Sequence, residues 1–337
     1  MTSKFDTLRN KTVLVTGGAG LVGSRIGKFL KGCGAHTICI DPLDAYHFDY
    51  RRLFEADRYY DEIIVEYLHS YTSLRALMRN VDFVVHAAAC ADVAECTHNP
   101  VRASEMNLMA AATLFDAMRN ASSCSRIVVV SSASVYGSGG DGIVWKESAS
   151  HSPISSYANA KVWLENEARL RSRESGFEAV ILRYFSVYGQ PQLPKIGSHS
   201  WCVATFTARA QLGLDLCLHG GGHQVRDFVH VDDVARATVL ALVGENCAGQ
   251  TLNVGTGVGT TVRSVAERIR ALYGGEPRLV NTGVPTGDPL GGIACTGKAK
   301  SVLGFESQIP FELGLRQYVD WFRNAELPEA VFKAVEY

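Results

Sequence analysis

Short apolar runs rich in β-branched residues alternate along the first half of the chain with longer segments of helical length and periodicity. The predicted strands are Thr12–Thr16, His36–Ile40, Ile63–Val65, Phe83–Ala87, Arg126–Ser131 and Ala179–Tyr184. The predicted helices between them are Gly20–Gly32, Ser73–Asn80, Pro100–Asn120 and Ser156–Ser175. Hydrophobicity within the strands is continuous rather than alternating, which suits a parallel sheet covered on both faces. The pattern predicts a doubly wound α/β fold.

The pattern changes after Tyr188, where residues 190–200 carry Pro, Gly and Ser and the later apolar segments become shorter and mixed. This change predicts a smaller mixed region packed against the first. The predicted boundaries are 1–188 for the larger domain, with 225–256 returning to it, and 189–224 together with 257–337 for the smaller region.

The composition of the chain argues against a disordered, nucleic-acid-binding, disulfide-rich or membrane-spanning protein. The chain has 337 residues, is 47% hydrophobic and carries a formal net charge of −1. A chain with this much hydrophobic sequence is expected to fold. Because its net charge is close to zero, its composition gives no indication of nucleic-acid binding. The nine cysteines are dispersed and never form C-x-x-C, so we expect reduced thiols and no metal site. No apolar run approaches the roughly 20 residues that span a bilayer, so we expect a cytoplasmic protein without membrane contact.

A glycine-rich loop, Thr16-Gly17-Gly18-Ala19-Gly20-Leu21-Val22-Gly23, connects the first predicted strand to the first predicted helix. Gly17 permits a tight turn, Gly20 a close approach of the backbone to a pyrophosphate, and Gly23 close packing of helix on strand. The free N–H groups of the first helical turn attract an anion. This context favours a dinucleotide site over a simple turn.

Asp41 ends the second predicted strand, about 20 residues beyond the loop, where a carboxylate can accept hydrogen bonds from the adenosine ribose. Its charge would repel a 2′-phosphate, and Pro42 and Leu43 supply no cation. NAD is therefore favoured over NADP. The alternative for Asp41 is a residue that caps its own turn.

Tyr157 and Lys161 are four residues apart and therefore share a helical face. A free tyrosine has a pKa of about 10, but a neighbouring ammonium and an oxidised nicotinamide would favour the phenolate. Tyr157 could then remove a hydroxyl proton while hydride leaves the same carbon. The alternative is a solvated helix face.

Hydroxyl residues follow the predicted strand Arg126–Ser131, at the sheet edge where ligands bind in such folds. Ser132 could hydrogen-bond the reacting oxygen and orient it towards Tyr157. The alternative for Ser132, and more strongly for Ser131 and Ser134, is a residue that forms a turn.

These motifs together resemble the extended short-chain dehydrogenase/reductases, specifically the NAD-dependent sugar epimerase/dehydratase family. The resemblance covers most of the chain. Besides the glycine loop, Asp41 and Tyr157/Lys161, it rests on His86–Ala89, Ser131–Gly137, Leu182–Phe185, Arg226–Asp233 and Asn253–Gly257.

The resemblance implies a Rossmann domain that binds NAD, and a smaller region that binds a nucleotide sugar. It implies Tyr157 as base, Lys161 as its electrostatic partner and Ser132 as hydroxyl polariser. The implied cofactor contacts are Gly17, Gly20, Leu21, Val22, Gly23, Asp41, Glu66, Tyr67, Ala87, Ala88, Ala89, Tyr157, Lys161 and Tyr184. The implied substrate contacts are Ser132, Ser134, Ser186, Arg226 and Gly292.

The residues after Ser132 bear on the reaction. Family dehydratases resemble one another in carrying an acid–base pair there, which Ala133 and Ser134 cannot supply. The segment looks instead like that of 4-epimerases related to UDP-galactose 4-epimerase. The family also implies a homodimer through helices around Ala103–Met118 and Tyr157–Arg171.

Three positions depart from the family pattern for phosphate binding. Ser186 stands where an amide is usual, Pro285 where an arginine is usual, and Trp201-Cys202 where an asparagine pair is usual. Arg183 or Arg209 could compensate.

Arg226 is expected at the diphosphate, with an ion pair to Asp227 or Asp232 as the alternative. Gly292 stands at or beside a position where a bulky tyrosine is common, which would leave room for a larger sugar; a merely different loop is the alternative.

These departures keep a second enzyme class open, an NAD-dependent dehydrogenase or reductase of a sugar or polyol without the nucleotide. A non-catalytic nucleotide-binding regulator is the minor alternative.

Overall fold

The computed structural model describes residues 4–119, 121, 123–198, 200–283 and 289–336. Its strands are β1 Thr12–Thr16, β2 His36–Ile40, β3 Glu62–Ile64, β4 Phe83–His86, β5 Arg126–Ser132, β6 Gly139–Trp145, β7 Glu178–Tyr184, β8 Ser186–Tyr188, β9 Leu216–His219, β10 Val225–Arg226, β11 Phe228–His230, β12 Thr251–Val254, β13 Thr260–Thr261, β14 Leu279–Thr282 and β15 Gly291–Ala294.

The α-helices are α1 Leu21–Gly32, α2 Ala56–Tyr59, α3 Leu74–Leu77, α4 Val93–His98, α5 Pro100–Ser104, α6 Ala110–Met118, α7 Ser156–Ser175, α8 Cys202–Gln211, α9 Val231–Val243, α10 Val262–Leu272, α11 Gly297–Leu303, α12 Phe311–Asn324 and α13 Glu329–Lys333.

A seven-stranded parallel sheet in the order β12-β7-β5-β4-β1-β2-β3 forms the centre of the molecule. Successive side chains of a strand point to opposite faces, and both faces are apolar here. In β5, Val128 and Val130 belong to one core cluster, whereas Ile127 and Val129 belong to the other. The predicted doubly wound parallel fold is confirmed.

The predicted elements agree with the structure to within a residue or two, apart from the second and third predicted helices. Pro100–Asn120 is divided by a π-helical turn at Glu105–Met109, and Asn120 lies outside the described residues. Ser73–Asn80 becomes a short α-helix followed by a 3-10 turn. Helical periodicity does not distinguish these backbone variants.

Helix α7 has the bounds that the sequence predicts because both of its ends are capped. The Ser155 hydroxyl accepts a hydrogen bond from the Ala158 N–H at 3.1 Å. Gly176 ends the helix with a φ of +78°, a conformation that glycine adopts without strain. This helix carries Tyr157 and Lys161.

The smaller region is built around a four-stranded mixed sheet in the order β13-β10-β15-β6, with the two-stranded pairs β8/β11 and β9/β14 beside it. Within the segment 225–256, β12 joins the large sheet, whereas β10 and β11 join the smaller ones. The exact domain boundaries stay a prediction.

In the described ranges, no helix is both long and apolar enough to cross a membrane.

Candidate active site

The glycine loop between β1 and α1 is shaped by backbone contacts that exclude a side chain at two positions. A Cβ on Gly17, whose φ is +69°, would lie 2.7 Å from the Cα of Ala88. A Cβ on Gly23 would lie 2.1 Å from the Gly17 carbonyl oxygen. On Gly20 it would meet only that carbonyl, at 3.5 Å. No protein atom requires glycine at Gly20, so its open side fits a ligand approaching the start of α1.

Asp41 lies beside this loop at the end of β2, and it is buried. Its carboxylate accepts hydrogen bonds from the N–H groups of Ala19, at 3.1 Å, and Leu43, at 2.9 Å. The Tyr50 hydroxyl donates to it at 3.2 Å. Burial raises the pKa of Asp41, and these three donors oppose the shift. Asp41 therefore does cap its own turn, and it keeps acceptor capacity for a ribose hydroxyl.

A cation from α5 contacts the loop beyond Asp41, which the sequence did not indicate. Arg102 pairs with Asp44, which also accepts a hydrogen bond from Tyr67 at 2.7 Å. Because Asp44 compensates the charge of Arg102, this loop still favours a ribose without a 2′-phosphate. Glu66, predicted to contact adenine, is exposed nearby at the end of β3.

The segment after β4 packs against the glycine loop. Thr16 Oγ1 lies 2.8 Å from His86 Nδ1 and accepts a hydrogen bond from the Ala88 N–H at 3.3 Å. Burial lowers the pKa of His86 to about 3, so this imidazole is neutral. The predicted cofactor segment Ala87–Ala89 is thereby fixed beside Gly17.

Ser132, Tyr157 and Lys161 come together at the carboxyl end of β5. Lys161 Nζ donates to the Val130 carbonyl at 2.8 Å and lies 5.7 Å from the centre of the Tyr157 ring. The Ser132 hydroxyl hydrogen-bonds Tyr157 and accepts the Ser134 N–H at 3.2 Å. The three predicted catalytic side chains therefore share one site.

In the protein without a cofactor, the surroundings of Tyr157 do not favour its phenolate. Burial raises the pKa of Tyr157 to about 12, and the hydrogen bond from Ser132 opposes the shift. Burial lowers the pKa of Lys161 to about 8, while Cys96 and Glu165 act in the other direction. A further positive charge is needed to produce the phenolate near neutral pH. Oxidised nicotinamide, the charge expected from the sequence, fits this requirement.

Arg183 is part of a buried polar network, so the expectation that it compensates at the phosphates is wrong. Its guanidinium binds both carboxylate oxygens of Glu165, each at 2.7 Å, and donates to the Tyr136 hydroxyl at 2.9 Å. Ser131 also donates to Glu165, at 2.7 Å. This network supports the end of β5, and sequence patterns gave no indication of Glu165.

Arg209 also makes structural hydrogen bonds. It donates to the backbone carbonyls of Asp215 and Val335, which joins α8 to the C-terminal segment. The second candidate for a compensating cation is therefore also wrong.

The two acidic residues that the sequence offered as partners of Arg226 make other contacts in the part of the chain that the structure describes. Asp232 forms a bidentate pair with Arg25, at 2.5 and 2.9 Å. Asp227 accepts hydrogen bonds from Thr256 and from the N–H groups of Gly257 and Ala294. Arg226 itself lies at the end of β10, beside Gly291.

The space that Gly292 leaves is filled. A Cβ there would lie 2.3 Å from Nε1 of Trp145, whose ring stacks on Tyr136 with the centres 5.1 Å apart. An indole from β6 therefore occupies the space next to Gly292, which favours a different local arrangement over a roomier site.

The remaining predicted contacts differ in how far they are exposed. Tyr184 is buried, with its hydroxyl 2.5 Å from Thr238 Oγ1, so any cofactor contact would come from its ring or backbone. Ser134 Oγ is buried without a hydrogen-bond partner in the described part of the chain. Ser186 is partly exposed on β8. Pro285 lies outside the described residues.

Lys195 is a further cation near the site that sequence reasoning missed. Its Nζ lies 5.4 Å from the centre of the Tyr46 ring and 5.1 Å from that of Trp201. Its charge also acts on the Cys90 thiol, just beyond Ala89. A lone lysine in a proline-rich stretch gave no sequence signal, because its partners come from the loop after β2 and the start of α8.

Comparison with known proteins agrees with this arrangement. Residues 13–255 match the model of the NAD-dependent epimerase/dehydratase family. A UDP-glucose 4-epimerase of Azospirillum brasilense is 31% identical, over 95% of this chain and 94% of its own. A UDP-glucuronate 4-epimerase of Thermodesulfobacterium geofontis is 27% identical, over 94% of this chain and 98% of its own.

A solved structure of UDP-glucose 4-epimerase from Thermotoga maritima with UDP-glucose has a TM-score of 0.85 and 30% identity, and the match covers 93% of this chain and 98% of that one. The matches confirm the resemblance and the predicted cofactor, NAD. The chain belongs to the NAD-dependent epimerase/dehydratase family.

Proposed function

We propose that this protein is an NAD-dependent epimerase of a nucleotide sugar, inverting C4 through a transient 4-keto sugar. The observation that carries the proposal is the meeting of Ser132, Tyr157 and Lys161 at the sheet edge that also holds the glycine loop. The neighbouring Ala133 and Ser134 supply no acid–base pair for eliminating water. Similarity to named UDP-sugar 4-epimerases supports the same reaction.

NAD, when bound, accepts hydride from the sugar carbon and returns it. The start of α1 at Gly20 would hold its pyrophosphate, and Asp41 its adenosine ribose. Glu66, Tyr67 and Tyr184 stay predicted contacts. The residues at these positions fit the group, because Gly20 leaves its side of the loop open.

The chain's own residues supply the proton chemistry. Tyr157 takes the proton of the 4-hydroxyl and later returns it, and Ser132 holds the reacting oxygen beside the phenol. Lys161, fixed by the Val130 carbonyl, stabilises the phenolate. In this proposal the rate is increased because Ser132 and Tyr157 position the reacting hydroxyl and Lys161 places a positive charge beside the phenolate.

For the diphosphate of the substrate we propose Arg226, as the family pattern implies, together with Lys195. Lys195 is held between two aromatic rings, so less side-chain freedom remains to be lost on binding. It would replace the contacts that differ at Ser186 and Cys202. Ser134 stays a predicted substrate contact.

We further propose that the protein is a cytoplasmic homodimer. Val101, Met109 and Leu170 are exposed apolar side chains on the two helical segments that the family resemblance places at a dimer interface. All nine cysteines are free, which fits a reducing compartment.

The test is incubation of the purified protein with UDP-glucose, UDP-galactose, their N-acetyl analogues and UDP-glucuronate, followed by NMR of the epimer ratio. We expect one pair to interconvert without added reductant. Stoichiometric NADH formation from a sugar or polyol would instead favour the dehydrogenase alternative. NAD binding without turnover of any substrate would favour the regulator.

A further inference from the structure

Cys90 and Cys96 form a pair of buried thiols beside the proposed catalytic tyrosine. Cys90 directly follows Ala87–Ala89, and Cys96 lies in α4. Their Sγ atoms are 3.5 Å apart. Cys96 is fully buried, Cys90 is 8% exposed, and the side chain of Tyr157 packs against this cluster.

Hydrogen bonds hold the two thiols in this arrangement. The buried Asn107 side chain accepts the Cys90 N–H at 2.8 Å and donates to the Cys90 carbonyl at 3.2 Å. The Cys96 thiol donates to the same carbonyl at 3.3 Å. Asn107 lies in the π-helical turn Glu105–Met109, a helix irregularity often found at functional sites. The pair is therefore kept close by several independent contacts.

The Cys96 thiol differs chemically from the other buried cysteines, whereas the hydrogen bond with Cys96 and burial raise the pKa of Cys90. The hydrogen bond with Cys90 holds the pKa of Cys96 below its usual value, against the effect of burial. Burial raises the pKa of Cys124 to about 12 and that of Cys39 well above its usual value. A thiolate, rather than a thiol, reacts with oxidants. The pair thus combines a more acidic thiol with a second sulfur in reach.

We propose that Cys90 and Cys96 are an oxidation site at which hydrogen peroxide forms a disulfide that suppresses turnover. Hydrogen peroxide reaches the pair at Cys90, which is slightly exposed. The Cys96 thiolate attacks one peroxide oxygen, the O–O bond breaks, and water leaves after a proton is taken up. The resulting sulfenic acid is attacked by the Cys90 thiol, which forms the S–S bond and releases a second water. Two electrons pass from the two sulfurs to the peroxide.

The disulfide would act on the site through its geometry. An S–S bond is about 2.05 Å long, so the sulfurs must approach by about 1.5 Å. Cys90 is continuous with Ala87–Ala89, and Tyr157 packs on the pair, so this closure moves the surroundings of the phenol. A displacement of about 1 Å can cost on the order of 100-fold in rate. Disulfide formation does not depend on the proposed function, whereas its effect on turnover does.

The test treats the full-length, NAD-loaded protein with hydrogen peroxide, then maps disulfides by mass spectrometry after alkylation under denaturing conditions. We expect a Cys90–Cys96 crosslink, a fall in turnover of about tenfold or more, and recovery with dithiothreitol. Cys96→Ala and Cys90→Ser should resist both changes. Cys124→Ala, which removes another buried thiol, should stay as sensitive as the wild type.

The proposal is overturned if both thiols remain alkylatable after peroxide treatment, or if the crosslink forms and turnover is unchanged. It is also overturned if Cys96→Ala and Cys90→Ser lose turnover as the wild type does. An untreated protein that turns over no nucleotide sugar contradicts the proposed function instead, and the crosslink mapping is read independently of it.

Discussion

The cofactor side and the substrate side of this site are built by different means. On the cofactor side, backbone conformation and close packing define the shape, as at Gly17 and Gly23. On the proposed substrate side, side chains from distant segments define the shape, as where Trp145 fills the space beside Gly292. Backbone requirements leave a local sequence signal, whereas a side chain that comes from elsewhere in the chain leaves none. The family resemblance therefore specifies the cofactor and reaction class more closely than the sugar.

The largest effect is expected for Tyr157, which lies between the cofactor side and the proposed substrate side. A variant there should lose turnover but keep its affinity for NAD. Tyr157→Phe removes the proposed base and should lower turnover by about 10²–10⁴-fold. NAD binding, measured by calorimetry, should stay nearly unchanged. Tyr59→Phe removes a partly exposed hydroxyl paired with Glu55 and should leave turnover at the wild-type level. Unimpaired turnover of Tyr157→Phe would contradict the mechanism.

The pH dependence of turnover should also reflect the ionisation of Tyr157. Burial raises the pKa of Tyr157 to about 12 in the free protein, and a base must lose its proton to act. Turnover of the NAD-loaded protein should therefore rise with pH on the acidic side. Lys161→Met should move that limb to higher pH, because one positive charge near the phenol is lost.

Two glycines of the same loop should respond differently to alanine. Gly17→Ala forces a left-handed φ, costing about 1–2 kcal/mol before its clash with Ala88 is counted, so thermal stability should fall. Gly20→Ala meets no close protein atom and should change stability by less than about 1 kcal/mol. Its affinity for NAD should nevertheless fall by about tenfold or more.

Equal losses of stability in these two glycine variants would mean that Gly20 serves the fold rather than the cofactor. Calorimetric NAD titration and thermal melts of the same samples distinguish the cases. Gly32→Ala, in α1 with no atom near its Cβ, is the matched control.

On the substrate side, Lys195→Met tests the proposed phosphate contact. Loss of one charge-assisted contact should raise the KM for the nucleotide sugar by about 10–100-fold, with kcat little changed. Lys300→Met removes an exposed lysine paired with Glu306 and should not alter KM. An unchanged KM in Lys195→Met would leave Arg226 as the proposed diphosphate cation.

The smallest effect concerns the size of the sugar. Trp145→Ala should open the space beside Gly292 and raise the turnover of N-acetylated relative to unsubstituted UDP-sugars by a few-fold. Turnover of both classes, measured by NMR on one enzyme sample, gives the ratio. A constant ratio would place the indole away from the sugar.

The large sheet could be predicted because its strands are buried on both faces and read as continuous apolar runs. Tyr157 and Lys161 were found because one helix fixes their spacing, and Ser132 because β5 ends there. The roles expected for Arg183 and Arg209 were wrong, since Glu165 and backbone carbonyls far along the chain bind them. Lys195 and the Cys90/Cys96 pair became visible only through their neighbours in space.

The sequence by itself determined the fold class, the glycine loop and the proposed catalytic side chains, because these depend on local periodicity, short spacings and backbone freedom. The tertiary structure decided which arginines are structural, what fills the space at Gly292 and which thiols meet beside Tyr157. Such contacts join residues separated by tens of positions or more, and chain folding rather than local preference brings them together.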